Sequence, residues 1–350
     1  MAEFDGVWIP YTELGRVILN QKTFQEHQHS NACRVQDKAP DPLCCPPYGY
    51  GFSLSRKEWG LFFIDSIENV KWKENAWDSL IIGDHEKLVL QSLVTSHSYP
   101  EDARDQSLQK GKGLVVLLHG LPGSGKTLTA ETAAAEGSKR ALMMTSLGEL
   151  NKSNKPASFE FRLKLVLRYA TTWSAVVLMD EADVFLEARE DHGDTSHRNA
   201  LVAKYFSGIV FLTTNRIKSF DKAMKSRIHL ALEYTPPGLG TRERLWVQNL
   251  TSISSEETSV DLDEAINAFL LVKMNGREIA NAVHTARTIA RFQKRPLEIE
   301  HIEMVLDVWK RFDESVSKTR KISTHTTDNG VHLVMQRTNS ILEEEGTFNS

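Results

Sequence analysis

The run LVVLLHGLPGSGKTLTAETAAAE, residues 114–136, constrains this chain more than any other stretch. Leu114–Leu118 is a short leucine and valine run, the pattern of a strand buried on both faces. Gly120 to Thr127 then fit G-x-x-x-x-G-K-[ST], and the residues beyond them favour helix. This order of parts suits a polyphosphate. Glycines tolerate positive φ and carry no side chain, so successive backbone N–H groups can curl around an anion. The start of the following helix turns its unpaired N–H groups and positive dipole end toward the same charge. Gly120, Pro122, Gly123, Ser124, Gly125, Lys126, Thr127 and Leu128 are therefore the candidate nucleotide-binding residues. Lys126 is placed to reach the β and γ phosphates, and the Thr127 hydroxyl to ligate Mg²⁺. The competing reading is a chance glycine turn between strand and helix, and the flanking context weighs against it. The implied ligand is a nucleoside triphosphate with magnesium.

The rest of the composition narrows the partners. A chain of 350 residues, 41% hydrophobic and 25% charged, is expected to be globular, with room for two or three domains. Its net charge of −4 gives no electrostatic case for nucleic acid. No apolar run approaches the roughly 18 residues of a membrane helix. The opening MAEFDGVWIPYTELG lacks the basic and apolar segments of a secretory leader. The expected location is intracellular, cytoplasmic or nuclear, with mitochondrial import left open. Cys33, Cys44 and Cys45 cluster near His27 and His29, but their spacing matches no C-x₂₋₄-C pair. Reduced thiols in a loop are expected there rather than zinc.

Along the chain, residues 1–70 read as a partial β-rich region, with strand-like GVWIPY, GRVILN and WGLFFIDSI around a loop rich in Pro, Cys and Gly. Residues 71–236 open with an apparent helix, HEKLVLQSLVTSH, and then alternate strands and helices, the pattern of an α/β layer on a parallel sheet. Residues 237–316 turn helical, with apolar positions three and four apart. The polar stretch 317–350 is expected to be disordered.

Hydrolysis asks for more than a phosphate loop: a carboxylate for the metal, a base for water, and charge to steady the leaving phosphate. SAVVLMDEADVF is an apolar strand ending in acids. Asp180 at its tip would hold Mg²⁺ and Glu181 would polarise the attacking water; the bland alternative is an acidic strand end. IVFLTTNR is a second buried strand with polar residues at its end. Asn215, or Thr214, could bond both the water and the γ phosphate, since neighbouring strands of a doubly wound sheet end at one crevice. The letters DEAD also occur in RNA helicases. That reading needs a second recombinase-like domain, whereas the chain turns helical after about residue 235.

Taken together, LPGSGKT, VVLMDEAD, FLTTNR, FDKAMKSRIHLAL and NGREIANAVHTA resemble the AAA+ ATPase family, most closely a fungal group of AAA ATPases of largely unassigned role. The resemblance covers residues 71–315 well. It implies an α/β P-loop NTPase sheet in order 5-1-4-3-2, a C-terminal helical lid, and a small, truncated N-terminal region. It implies ATP as the nucleotide, a homo-oligomeric ring, commonly hexameric, and a protein substrate. By the same resemblance Asn215 matches the sensor-1 position, Arg227 the arginine finger given to a neighbour, and Arg277 the sensor-2 arginine of the lid. The bland reading of both arginines is solvated charge or helix capping.

Two departures stand out. ALMMTSLGELNKSNKPASFE, residues 141–160, holds no aromatic–hydrophobic–Gly tripeptide, so the family's threading of polypeptide through a central pore is in doubt. The link between DEAD and TTN is short: Asn199 to Gly208 spans only about 15 Å as helix, against about 17 Å for the strand it must retrace. Two functions follow. The leading one is an Mg-dependent ATP hydrolase that drives remodelling of a macromolecular partner; the other is an ATP-binding scaffold with little or no turnover. Adenine rests on the resemblance alone, with the run Trp77–Ile82 where family members pack the base. The guanine-reading Asn-Lys-x-Asp does not occur; Asn151 to Asn154 comes nearest.

Overall fold

A computed structural model describes residues 2–4, 7–9, 13, 15–27, 46–97, 113–150, 156–182, 208–215, 225–312 and 314–315. Cys33, Cys44, Cys45, the Asn199–Ser207 link and the 317–350 tail lie outside the described residues. The chain divides into two compact units, Met1–Pro237 and Gly238–Ser350.

In the first unit the strand that precedes the glycine loop, β6 (Leu114–Gly120), lies near the middle of a five-stranded parallel sheet. The others are β7 (Leu142–Ser146), β8 (Val176–Asp180), β9 (Ile209–Thr214) and β10 (Leu230–Tyr234). Their spatial order is β10-β6-β9-β8-β7, the fifth, first, fourth, third and second strands of this sheet. That is the expected 5-1-4-3-2 arrangement, an α/β P-loop NTPase fold. Near-continuous apolar runs are what such a sheet demands, because helices cover both faces. On one face Val115, Leu117, Val177, Met179, Val210 and Leu212 meet Phe159, Leu163 and Leu167 of α5 (Pro156–Thr172). On the other, Val116, Leu118, Val176, Leu178, Ile209 and Phe211 meet Leu90 and Val94 of α2 (Asp84–Ser96), together with Ala130. Residues of opposite parity thus serve opposite layers, as the strand period of two requires.

The N-terminal segment is a second sheet, antiparallel and five-stranded, in the order β2-β1-β5-β4-β3. Its strands are β1 (Ala2–Phe4), β2 (Val7–Ile9), β3 (Val17–Ile18), β4 (Tyr48–Ser53) and β5 (Glu58–Phe63). This sheet does not stand apart from the α/β body. Phe52 sits with its ring centroid 5.3 Å from Tyr169 and 5.1 Å from Trp173, both near the end of α5. Trp59 donates its indole N–H to the Tyr169 hydroxyl at 3.2 Å. Phe24, on α1 (Gln21–His27), stacks on Tyr50 at 3.9 Å and meets Trp59 edge-on. The β-rich character expected for residues 1–70 carries no information on this seam, since aromatic spacing says nothing of the helix across from it.

The second unit is helical: α6 (Leu239–Thr251), α7 (Leu262–Phe269), α8 (Gly276–Phe292) and α9 (residues 299–312). Trp246, Phe269, Ile279, Val283, Ala286, Leu297 and Ile302 form its core. Asp261 caps α7, and Asn275 caps α8 in a reciprocal box with Glu278.

Candidate functional site

All five parallel strands run the same way, so their C-terminal ends share one rim. The pairing puts Tyr234 opposite Gly120, Thr214 opposite His119, and Ser146 opposite Asp180. The phosphate loop and the Asp180–Glu181 pair therefore stand on the same rim, separated by the single strand β9.

The loop's geometry follows from its glycines. Gly120, Gly123 and Gly125 have φ of 142°, 76° and 99°. At Gly120 a Cβ would lie 2.1 Å from the Tyr234 carbonyl oxygen, so β10 closes tightly on the strand end and admits no side chain. At Gly125 nothing lies within 4 Å of a Cβ position, and the positive φ alone excludes other residues. Helix α3 (Lys126–Thr129) starts directly at the lysine and continues as a π-helical turn over Ala130–Glu136. Lys126 is buried, its ammonium donating to the carbonyls of Gly120 at 2.9 Å and Leu121 at 2.7 Å. Ser124 closes the loop on itself by donating to the Leu121 carbonyl at 2.7 Å. Thr127 is half-buried, while Pro122 and Leu128 are exposed.

Across β9, Glu181 adopts φ 55°, a left-handed conformation that costs a residue with a Cβ roughly 1–3 kcal/mol. Its backbone N–H reaches two acceptors, Asp180 Oδ1 and Thr213 Oγ1, each at 3.2 Å. The Thr213 hydroxyl donates to Asp180 Oδ1, and the Thr213 carbonyl accepts from Ala182 N–H at 2.8 Å. Asn215 is exposed just past the end of β9.

Two further acid–base groups stand close by. Burial, and then the Asp180 charge, hold the Glu131 carboxyl above its ordinary range. Burial lowers the His119 imidazole, with Glu233 opposing and the Lys126 charge assisting.

The hard oxygens of Thr127 and Asp180 are the donor type Mg²⁺ takes, one or two protein ligands beside phosphate oxygens and water. The open, glycine-lined loop and the Lys126 ammonium suit a triphosphate. The residues thus fit the pair of ligands. Among the described residues no group of three or more His, Cys, Asp or Glu could hold a metal ion.

The two arginines are placed differently. Arg227 stands two residues before His229, whose N–H bonds the Val115 carbonyl at the start of β6. It belongs to the rim opposite the phosphate loop of its own chain. Arg277, exposed, opens α8 in the second unit.

Sequence reasoning missed Thr213, Glu131 and the pair Thr129–Tyr234. Threonine two places before the asparagine was visible in TTN, but its partner became visible only with the β8–β9 pairing.

Residues 116–235 match the family described as ATPase family associated with various cellular activities, AAA. That segment is similar to AAA domains. The chain shares 27% identity over 171 residues with the ATPase family AAA domain-containing protein 3A homolog of Drosophila melanogaster, covering 45% of this chain and 28% of that protein. The outer mitochondrial transmembrane helix translocase of Homo sapiens is 30% identical over 192 residues, covering 51% of this chain and 50% of that protein. The chain thus spans half, or less, of the length of these relatives. A crystal structure of the FIGL-1 AAA domain aligns at 17% identity and a TM-score of 0.48, over 72% of this chain and 93% of that one. Similarity to AAA ATPases supports ATP binding and hydrolysis in general terms. No helix among the described residues is long and apolar enough to cross a membrane.

Proposed function

We propose that residues 116–235 form an AAA domain that binds ATP with Mg²⁺ and hydrolyses it by in-line attack of water on the γ phosphate. The single observation behind this reading is the shared rim of the Lys126 loop and the Asp180–Glu181 turn. When bound, Mg²⁺ supplies positive charge to the phosphoryl oxygens. The chain's own part is as follows. Loop N–H groups from Gly123 to Leu128 cradle the phosphates, and Lys126 exchanges its two carbonyl partners for phosphate oxygens. Thr127 and Asp180 would hold the metal. Glu181 draws the proton of the attacking water, and Asn215 orients that water.

Charge at the departing phosphate falls to Arg277 and to Arg227 of a neighbouring copy. The case for a neighbour rests on distance. Val115 and Gly120 are five strand steps apart, about 16 Å, more than an arginine side chain bridges. This favours a homo-oligomeric ring, taken as hexameric, in which each site is completed by the next subunit. The cycle would then drive remodelling of a protein partner. The human relative is a protein of the outer mitochondrial membrane by name, which keeps that compartment beside cytosol and nucleus.

Steady-state phosphate release from wild type and Lys126→Ala, together with ATP binding to each, tests the reading. Binding and turnover are expected in the wild type and neither in the variant. Tight binding by the wild type with no phosphate release would make the chain a nucleotide-binding scaffold instead.

A further inference from the structure

We propose that Thr213 is a positioning residue of the site: its hydroxyl fixes both the carboxylate of Asp180 and the backbone of Glu181, so that β9 sets the geometry of metal and water on β8. The inference rests on the magnesium and ATP reading above and adds a residue to it.

A threonine hydroxyl has one proton to give and lone pairs to accept with. Here the proton goes to Asp180 Oδ1, and the N–H of Glu181 comes to the oxygen at 3.2 Å. Oδ1 is bonded a second time by the same Glu181 N–H, also at 3.2 Å. One oxygen of the carboxylate is thereby committed. The hydrogen bonds to this carboxylate among the described residues all fall on Oδ1, so Oδ2 is the oxygen a metal-bound water would use.

The backbone half of the contact is equally directed. Glu181 is held at φ 55°, a region a glutamate leaves unless bonded into it. Thr213 is on both sides of that turn, through its hydroxyl to Glu181 and its carbonyl to Ala182 at 2.8 Å. Thr213 is itself buried, 1% exposed, in a strand that ends at Thr214, with Asn215 the next residue. A shift of β9 that moves Asn215 against the nucleotide therefore also moves the hydroxyl that orients Asp180 and Glu181. The strand end carries both functions on one rigid piece, and a hydroxyl at position 213 links them.

Thr213→Val keeps the shape and removes only the hydroxyl, while Thr213→Ser keeps the hydroxyl. Two readouts are needed: steady-state phosphate release by the full chain, and the Mg²⁺ dependence of binding of a fluorescent N-methylanthraniloyl-ATP. Partners that orient metal ligands are worth roughly ten- to 100-fold in affinity or activity. Thr213→Val is expected to lower kcat by that factor and to raise the Mg²⁺ concentration at half-effect. It should leave nucleotide binding in EDTA unchanged, and Thr213→Ser should restore kcat. A wild-type kcat and Mg²⁺ dependence in Thr213→Val overturns the proposal. So does equal loss of binding with and without Mg²⁺, accompanied by a fall in Tm that serine does not repair, because that is a packing effect. If the wild type releases no phosphate, the hydrolase reading fails by itself and the Mg²⁺ titration still decides the role of Thr213.

Discussion

The hydroxyls of Thr129 and Tyr234 lie 2.5 Å apart, tying the helix of the phosphate loop to the last residue of the edge strand β10. Thr129 gives its own proton to the Gly125 carbonyl at 3.0 Å, so Tyr234 is the donor to Thr129. The same tyrosine's carbonyl occupies the space beside Gly120. One residue thus pins both the start of the glycine loop and the first turn beyond it.

Tyr234→Phe removes a buried donor and leaves the ring in place. Net hydrogen bonds of this kind contribute about 0.5–1.5 kcal/mol, so chemical denaturation should show a loss of that size. Burial pushes the Tyr234 hydroxyl up to about 12 from an ordinary value of 10.0. A folded pKa above the unfolded one means that the native state keeps the proton longer. The stabilisation is complete below pH 10 and is lost as pH rises toward 12. Wild type should therefore lose stability more steeply than Tyr234→Phe across that window. Parallel curves would show that the hydroxyl is not held as described.

Gly120→Ala and Gly125→Ala should differ in kind. Both force an alanine into positive φ, at roughly 1–2 kcal/mol. Only at Gly120 does the new methyl also meet a backbone oxygen, at 2.1 Å. Gly120→Ala is expected to lower Tm strongly and Gly125→Ala mildly, the latter losing ATP affinity instead. Differential scanning fluorimetry with and without ATP separates the two.

Phe52→Ala tests the seam between the antiparallel sheet and α5. Phe52 is 4% exposed and touches Trp59, Tyr169 and Trp173. Truncating a buried aromatic costs about 3–5 kcal/mol. Limited proteolysis should then cleave the N-terminal sheet well before the parallel one. Unchanged cleavage would mean that the seam contributes little.

The parallel sheet and its loop were legible because each depends on local pattern. LVVLL, VVLMD and IVFLTT can only be buried strands, and LPGSGKT needs its glycines in order. The place of Asp180 and Glu181 at a strand end was legible in the same way. What escaped detection depends on pairing between distant strands. Thr213 acquires its role from lying beside Asp180, and Tyr234 from lying beside Gly120, neither of which a linear pattern encodes. The packing of Phe52 on Tyr169 is of the same kind. Arg227 was singled out by resemblance, but that it stands on the far rim of its own chain required the register of β10 against β6.

That placement makes Arg227 a test of assembly. Arg227→Ala should reduce phosphate release by about 10³-fold or more, as loss of an arginine finger does. If the finger serves a neighbour, as proposed, mixing Arg227→Ala with Lys126→Ala chains should recover part of the activity that each lacks alone. No recovery at any mixing ratio, with Arg227→Ala as active as wild type, would reduce Arg227 to a surface charge.

The most direct test follows a single turnover of ATP labelled at the γ phosphate, with enzyme in excess, on wild type and on Glu181→Gln. The wild type should convert bound ATP to ADP and free phosphate, while Glu181→Gln binds as well and leaves the label on ATP. Equal conversion by both proteins would contradict the assignment of the water-activating acid, and no conversion by either would contradict hydrolysis itself.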